Sequence, residues 1–180
     1  MLFTGLPEDK YEITHYTVET EDHYLLGLYR IRLTQKYLKK LSPAKQGNIK
    51  KTVYLQHAIL DSSDGLFLNG EDKALGFYIV NQGYDVWSGN NRGTKYSRQT
   101  THEKITQADF FDFSWEDMGT KDAPAFYKFI LANVDYESKI TYIGHSQGTA
   151  QMFAGLLDEK SQYYLSAHTE KYIAIAPIVF

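Results

Sequence analysis

The sequence predicts an α/β protein on a mostly parallel sheet with helices on both faces, and three observations predict it. Apolar strand-like runs alternate with segments of helical spacing from residue 52 onward. Those runs are apolar throughout, as strands are when both faces of a parallel sheet are covered. The 180 residues are 43% hydrophobic and 23% charged, enough for one domain, or part of one, with a real core.

The elements follow in order. "YTVETEDHYLLGLYRIR" at 16–32 places two β-rich segments around Glu21-Asp22, the pattern of an antiparallel hairpin. "TQKYLKKLSPAKQGNIKK" at 34–51 carries six lysines and the breakers Pro43 and Gly47, and reads as a solvated connecting loop rather than a basic membrane-docking patch. "TVYLQHAIL" is a short strand, "DKALGFYIVNQG" a helix ending at Gly83, and "YDVWSGN" another strand. Asp122 is positioned to cap a helix "APAFYKFILANV" with Pro124 in its first turn. "KITYIGHS" returns as a strand, "QGTAQMFAGLLDE" is helical and "YIAIAPIVF" is a last strand.

Several function classes drop out. A net charge of -3 and a pI near 6.1 provide no basic stripe for nucleic acid. No window approaches the ~20 apolar residues of a membrane span. With no cysteine, disulfides, thiolate catalysis and thiolate zinc sites are excluded. Met1-Leu2-Phe3 is too short for a signal h-region, so no signal peptide is visible and the compartment stays open. His102-Glu103 would need a second histidine at 106, where Thr106 stands, and neither metal nor cofactor is indicated. Gly89-Asn90-Asn91-Arg92-Gly93-Thr94-Lys95 has the wrong glycine spacing for a phosphate loop and reads as a structural turn, with Arg92 expected on a carboxylate that the sequence alone does not pair, the Glu116-Asp117 stretch being one candidate.

Chemistry concentrates in Gly144-His145-Ser146-Gln147-Gly148. A glycine-x-serine-x-glycine string alone is weak, but here a strand ends at the serine and a helix begins just after it. That is the context of a nucleophile elbow, in which flanking glycines relieve crowding at a sharp bend. The Gln147 amide then lies at a helix N-terminus, which favours an oxyanion. The bland alternative is a helix-capping serine after a buried strand.

The chain resembles the N-terminal portion of the acid lipase family of α/β-hydrolases, the gastric and lysosomal type. The resemblance is carried by "YTVETEDHYLLGLYRI", "VYLQHAILDSS", "GYDVWSGNNRGTKYSR", "FSWEDMGTKDAPAFYKFI", "YIGHSQGTAQMF" and "AIAPI", in the family's order and spacing and over nearly the whole chain. It implies an α/β-hydrolase fold, secretion or a lysosomal address, and a serine carboxylic ester hydrolase acting on neutral lipid esters, with transient contact at a lipid interface. By the same resemblance Ser146 is the acyl-accepting nucleophile, the amides of Gln147 and Ile59 form the oxyanion hole, and His57 and His145 are structural. Ala58 stands where the family has glycine, which puts the oxyanion loop in question: positive φ there would cost alanine about 1 kcal/mol, and negative φ almost nothing.

The remaining triad members follow the serine in this fold, acid first and then histidine. Asp158 would lie ~18 Å away along the helix, and His168 enters its strand at the edge opposite Ser146. The triad acid and histidine are therefore expected outside this chain. Residues 1–180 read as the N-terminal part of one hydrolase domain, interrupted after about the sixth strand, with cap and C-terminal strands absent and the chain inactive alone. Two alternatives stay open: a non-catalytic hydrolase-fold protein that binds lipid or protein, and a peptidase or thioesterase on the same fold.

Overall fold

The computed structural model describes residues 6–7, 9–134 and 139–178. Met1-Leu2-Phe3 and the last two residues of the expected final strand lie outside them. Strands β1 (Tyr11–Glu19) and β2 (Tyr24–Leu33) form the expected hairpin, turning at Glu21-Asp22. Two one-turn helices follow, α1 (Gln35–Leu38) and α2 (Pro43–Gln46), then β3 (Thr52–Gln56), α3 (Leu75–Val80) and β4 (Asp85–Gly89). The two-residue strand β5 (Gln99–Thr100) precedes α4 (Gln107–Phe110) and α5 (Trp115–Asp117). A π-helical turn at Met118–Asp122 joins α5 to α6 (Ala123–Ala132). The chain continues through β6 (Ile140–His145), α7 (Gln147–Leu157), α8 (Gln162–His168) and β7 (Thr169–Ile175).

The sheet order is β1-β2-β4-β3-β6-β7, with β5 pairing β2. Strand β2 is antiparallel to β1 and β4, while β4, β3, β6 and β7 run parallel. This is an α/β sheet with an antiparallel start, as the sequence predicts. Side-chain alternation sorts the core into two layers. Leu26, Leu28, Tyr54, Trp87, Ile140 and Tyr142 pack on one face with Phe126, Ile130 and Met152 of α6 and α7. Ile31, Leu33, Val53, Leu55, Val86 and Ile143 pack on the other with Phe77 and Val80 of α3.

Three local expectations are corrected. The lysine-rich segment is not wholly solvated, because Leu38 is buried and Tyr37, Leu41 and Ile49 pack against the core beneath it. Strand β7 starts at Thr169, since it pairs with β6 from Ile140 onward. Asp122 does not cap α6: its backbone is helical and its side chain makes no cap bond, because the π-helical turn already runs into the helix.

The Asp122 carboxylate is taken by Arg92, whose partners are Asp122 and Asp22 and not the Glu116-Asp117 stretch. The Arg92 guanidinium donates from Nε to Asp122 Oδ1 at 2.8 Å and from Nη1 to Asp22 Oδ2 at 2.7 Å. Its backbone N–H donates to Asp122 Oδ2 at 3.1 Å, and its guanidinium carbon lies 4.1 Å from the centre of the Tyr24 ring. One buried arginine thus ties the hairpin turn and the π-helical turn to the loop after β4. Partial burial raises the Asp22 pKa, but bonds from Arg92 and Thr20 with the charges of Arg92 and Lys121 outweigh it and hold the carboxyl well below its ordinary range.

A carboxyl depressed in the folded state stabilises above its unfolded pKa and loses that contribution as pH falls. The urea midpoint should therefore drop below about pH 4, and Asp22→Asn should be weaker at pH 7 yet lose less on acidification. An unchanged acid slope in Asp22→Asn would contradict this assignment. Arg92→Met strands the buried Asp122 carboxylate and should cost about 3–5 kcal/mol by the same measurement.

Candidate active site at the strand–helix turn

At the carboxyl end of β6 the backbone reverses within one residue. Ser146 has φ 52° and ψ −115°, a region that L residues rarely occupy, at a cost of about 1–3 kcal/mol. The flanking glycines are required by space. A Cβ on Gly144 would lie 2.6 Å from the Gly148 carbonyl oxygen; one on Gly148 would lie 2.8 Å from that of Gln56 and 2.9 Å from that of His57. Gly148 therefore lets the head of α7 press against the end of β3, which leads directly into Ala58 and Ile59.

Further bonds fix the turn. The Ser146 N–H donates to Ile175 O at 3.0 Å, and its carbonyl accepts from Thr149 N–H and Oγ1 at 2.8 and 2.6 Å. Tyr142 and Tyr172 donate their hydroxyls to Gly148 O and Thr149 O at 2.6 and 2.8 Å. Gln147 heads α7, and its side-chain amide meets the Met118 sulfur at 3.5 Å.

Gln147, Ala58 and Ile59 line one open cleft of about 860 Å³, with Leu60, Leu68, Phe111, Phe113, Trp115 and Met118 on its apolar wall. Ile59 is 61% exposed and Leu60 fully so. The strain in this loop falls on Leu60, with φ 59°, and Ala58 lies outside the left-handed region. Ala58, where the resemblance implies a glycine, is therefore accommodated without backbone strain.

The histidines separate cleanly. His57 is buried; its Nε2 accepts from Asn91 N–H at 3.1 Å and its Nδ1 donates to Ala58 O at 2.8 Å. Burial lowers its pKa, against the opposing pull of the Ala58 bond and the Asp61 charge. The ring is thus neutral with both nitrogens engaged, so it has no lone pair to offer Ser146. His145 ends β6 beside the serine, its side chain half-buried. His168 Nδ1 meets Tyr164 O at 2.8 Å and sits where β7 begins, about 20 Å along the strand from the serine's end of the sheet. Asp158 ends α7 and caps Ser161 at 2.9 Å. Among the described residues none joins Ser146 as an acid or base, and none form a metal-binding cluster.

Sequence reasoning missed the polar connection behind the cleft. Asn91 Nδ2 donates to Gln151 Oε1 at 2.8 Å, and Gln151 returns a bond from Nε2 at 3.3 Å. Asn90 Oδ1 accepts from Ser63 N–H at 2.9 Å. Its signal was the Asn90-Asn91 pair itself, legible as a turn but not as a bridge.

A profile described as the α/β hydrolase fold matches residues 51–162, and one described as a partial α/β-hydrolase lipase region matches 6–70. The chain is 32% identical to gastric triacylglycerol lipase of Mus musculus over 176 residues, covering 98% of this chain and 41% of that protein. It is 34% identical to lysosomal acid lipase/cholesteryl ester hydrolase of Macaca fascicularis, again covering 98% and 41%. The chain thus spans about two fifths of the length of these relatives. A Pyrococcus furiosus esterase structure superposes with a TM-score of 0.62 at 20% identity, over 94% of this chain and 51% of the other, a likeness of fold.

Gly148→Ala should cost about 1–3 kcal/mol in urea denaturation, because the new methyl meets backbone oxygens that cannot swing aside. Ala58→Gly should destabilise by about 0.4–1 kcal/mol through the unfolded chain. A gain in stability at 58 would place that residue in a conformation glycine prefers.

Proposed function

This chain belongs to the α/β-hydrolase fold family, and from that premise we propose that it carries the nucleophile-bearing part of a serine lipase or esterase acting on neutral lipid esters through an acyl-enzyme. The observation that carries the reading is the strained Ser146 between β6 and α7, beside a cleft shared by Gln147 and Ile59. Similarity to lipases over 98% of the chain supports the ester class, and the apolar wall of the cleft suits an acyl chain.

In this reading Ser146 Oγ attacks the ester carbonyl as a histidine removes its proton. The amides of Gln147 and Ile59 hold the resulting oxyanion, each donor contributing on the order of 3 kcal/mol to the transition state. Collapse expels the alcohol, which takes the proton back from the histidine, and water then releases the acid by the same two steps in reverse. We assign the acid and the histidine to residues outside these 180, since no described group fills either role. The exposed Ile59 and Leu60 at the cleft mouth are the surface we expect to meet a lipid interface.

The test is labelling by a fluorophosphonate together with hydrolysis of a short-chain p-nitrophenyl ester. The 180-residue chain alone should do neither, while a protein that includes the acid and histidine should do both and lose both on Ser146→Ala. Labelling of the 180-residue chain that vanishes in Ser146→Ala would reveal an activating base already present. A longer protein with no Ser146-dependent reaction would instead favour a non-catalytic binding role.

A further inference from the structure

The buried His57 is too committed to act as a base, yet both of its ring nitrogens are bonded to the backbone of residues that line the cleft, Ala58 and Asn91. We propose that His57 is a positioning residue that aims the Ile59 N–H into the cleft by holding the Ala58 carbonyl from behind, an inference that rests on the assignment of Ile59 as an oxyanion donor.

The argument begins with one peptide plane. The Ala58 carbonyl and the Ile59 N–H belong to the same trans unit, in which C=O and N–H point in opposite directions. Fixing the carbonyl therefore fixes the donor. His57 Nδ1–H grips that carbonyl at 2.8 Å, and the Asp61 N–H reaches the same oxygen at 3.4 Å. The next residues could otherwise swing, since Ile59 and Leu60 are exposed and Leu60 is held at φ 59°. Without an anchor the plane could rotate and turn its N–H out of the cleft.

The ring itself is anchored. Asn91 N–H donates to Nε2 at 3.1 Å, so Nε2 carries no proton and the neutral ring must bear its hydrogen on Nδ1. The backbone of Asn91 thus selects the tautomer that can hold Ala58. The Asn91 side chain in turn pairs with Gln151 in α7, the helix that presents the Gln147 N–H. Both proposed donors are therefore referred to one buried bridge, and burial keeps the ring uncharged so that Nε2 remains an acceptor. A Cβ on Gly148 would lie 2.9 Å from the His57 carbonyl oxygen, so glycine there is what lets the head of α7 sit this close to His57.

Two measurements test this. In the 180-residue chain, long-range ¹H–¹⁵N spectra of the imidazole should show His57 as the Nδ1–H tautomer at neutral pH; an Nε2–H or doubly protonated ring would overturn the proposal. In the longer protein that reacts through Ser146, two variants separate positioning from packing. The amide nitrogen of His57→Asn can occupy the place of Nδ1 and keep the bond to Ala58, whereas His57→Gln reaches toward Asn91 and loses it. His57→Gln should lower kcat on the order of 10²-fold with KM within about twofold, the cost of one oxyanion donor. His57→Asn should retain most of kcat at a comparable Tm. Equal losses in the two variants, or losses that track Tm, would reduce His57 to a packing residue and overturn the proposal. Activity that survives Ser146→Ala would instead remove the reading on which it rests.

Discussion

The backbone at Ser146 is the constraint on which the rest of the structure depends. A non-glycine residue at φ 52° persists only where its surroundings leave no alternative. Three parallel strands supply those surroundings. β7 accepts the Ser146 N–H at Ile175, β6 supplies the Tyr142 hydroxyl beneath Gly148, and the carbonyls that end β3 press on Gly148 itself. Because all three run the same way, their carboxyl ends converge on one edge, and the strain is carried by the sheet rather than by the turn. The result is a serine held at the head of α7, next in sequence to Gln147, which lines the cleft.

Much of this was legible in the sequence for a simple reason: strands and helices announce themselves through local periodicity. Tyr54 and Trp87 point one way while Val53, Leu55 and Val86 point the other, as alternation requires. The elbow was legible because its glycines mark the close approaches that the structure contains. The partners of Arg92 were not. The Glu116-Asp117 stretch is one candidate among the carboxylates, yet the arginine reaches Asp22, 70 residues back in the chain, and Asp122, 30 residues on. No local pattern encodes a contact of that kind. Asp122 is ambiguous in the sequence for a related reason. A capping residue and a buried counter-ion look alike in sequence, and only the π-helical turn ahead of it shows that no cap was needed.

Ala58 makes the complementary point about reading a glycine from its absence. Alanine where the resemblance implies glycine leaves two outcomes open, a strained or displaced loop at positive φ and almost no cost at negative φ. The positive φ lies two residues further on, at Leu60, so the alanine carries a side chain at no backbone cost. Residue type reports which conformations are allowed, and several positions in a loop can take up the same reversal.

The cleft end of the molecule then combines two opposite surfaces. Its mouth is apolar and exposed at Ile59, Leu60, Phe111 and Trp115, while His57, Asn91 and Gln151 are buried among their mutual bonds and Asn90 is buried on the backbone of Ser63 and Gly27. Burying that many polar groups is costly unless each is satisfied, and a satisfied network holds its members far more rigidly than apolar packing would. The carboxyl ends of the strands make such a network necessary, because loops leave there with backbone groups that the sheet no longer pairs. Asn90 Nδ2 takes the Gly27 carbonyl at 3.1 Å, Ser97 Oγ takes that of Asn90 at 2.8 Å, and Asn91 N–H takes the ring of His57. Groups needed to close the fold at this edge thereby also hold the backbone beside the cleft in place. In the proposed reading, that fixity is what the Gln147 and Ile59 amides would need as oxyanion donors, since donors that must reorganise lose much of their advantage over water.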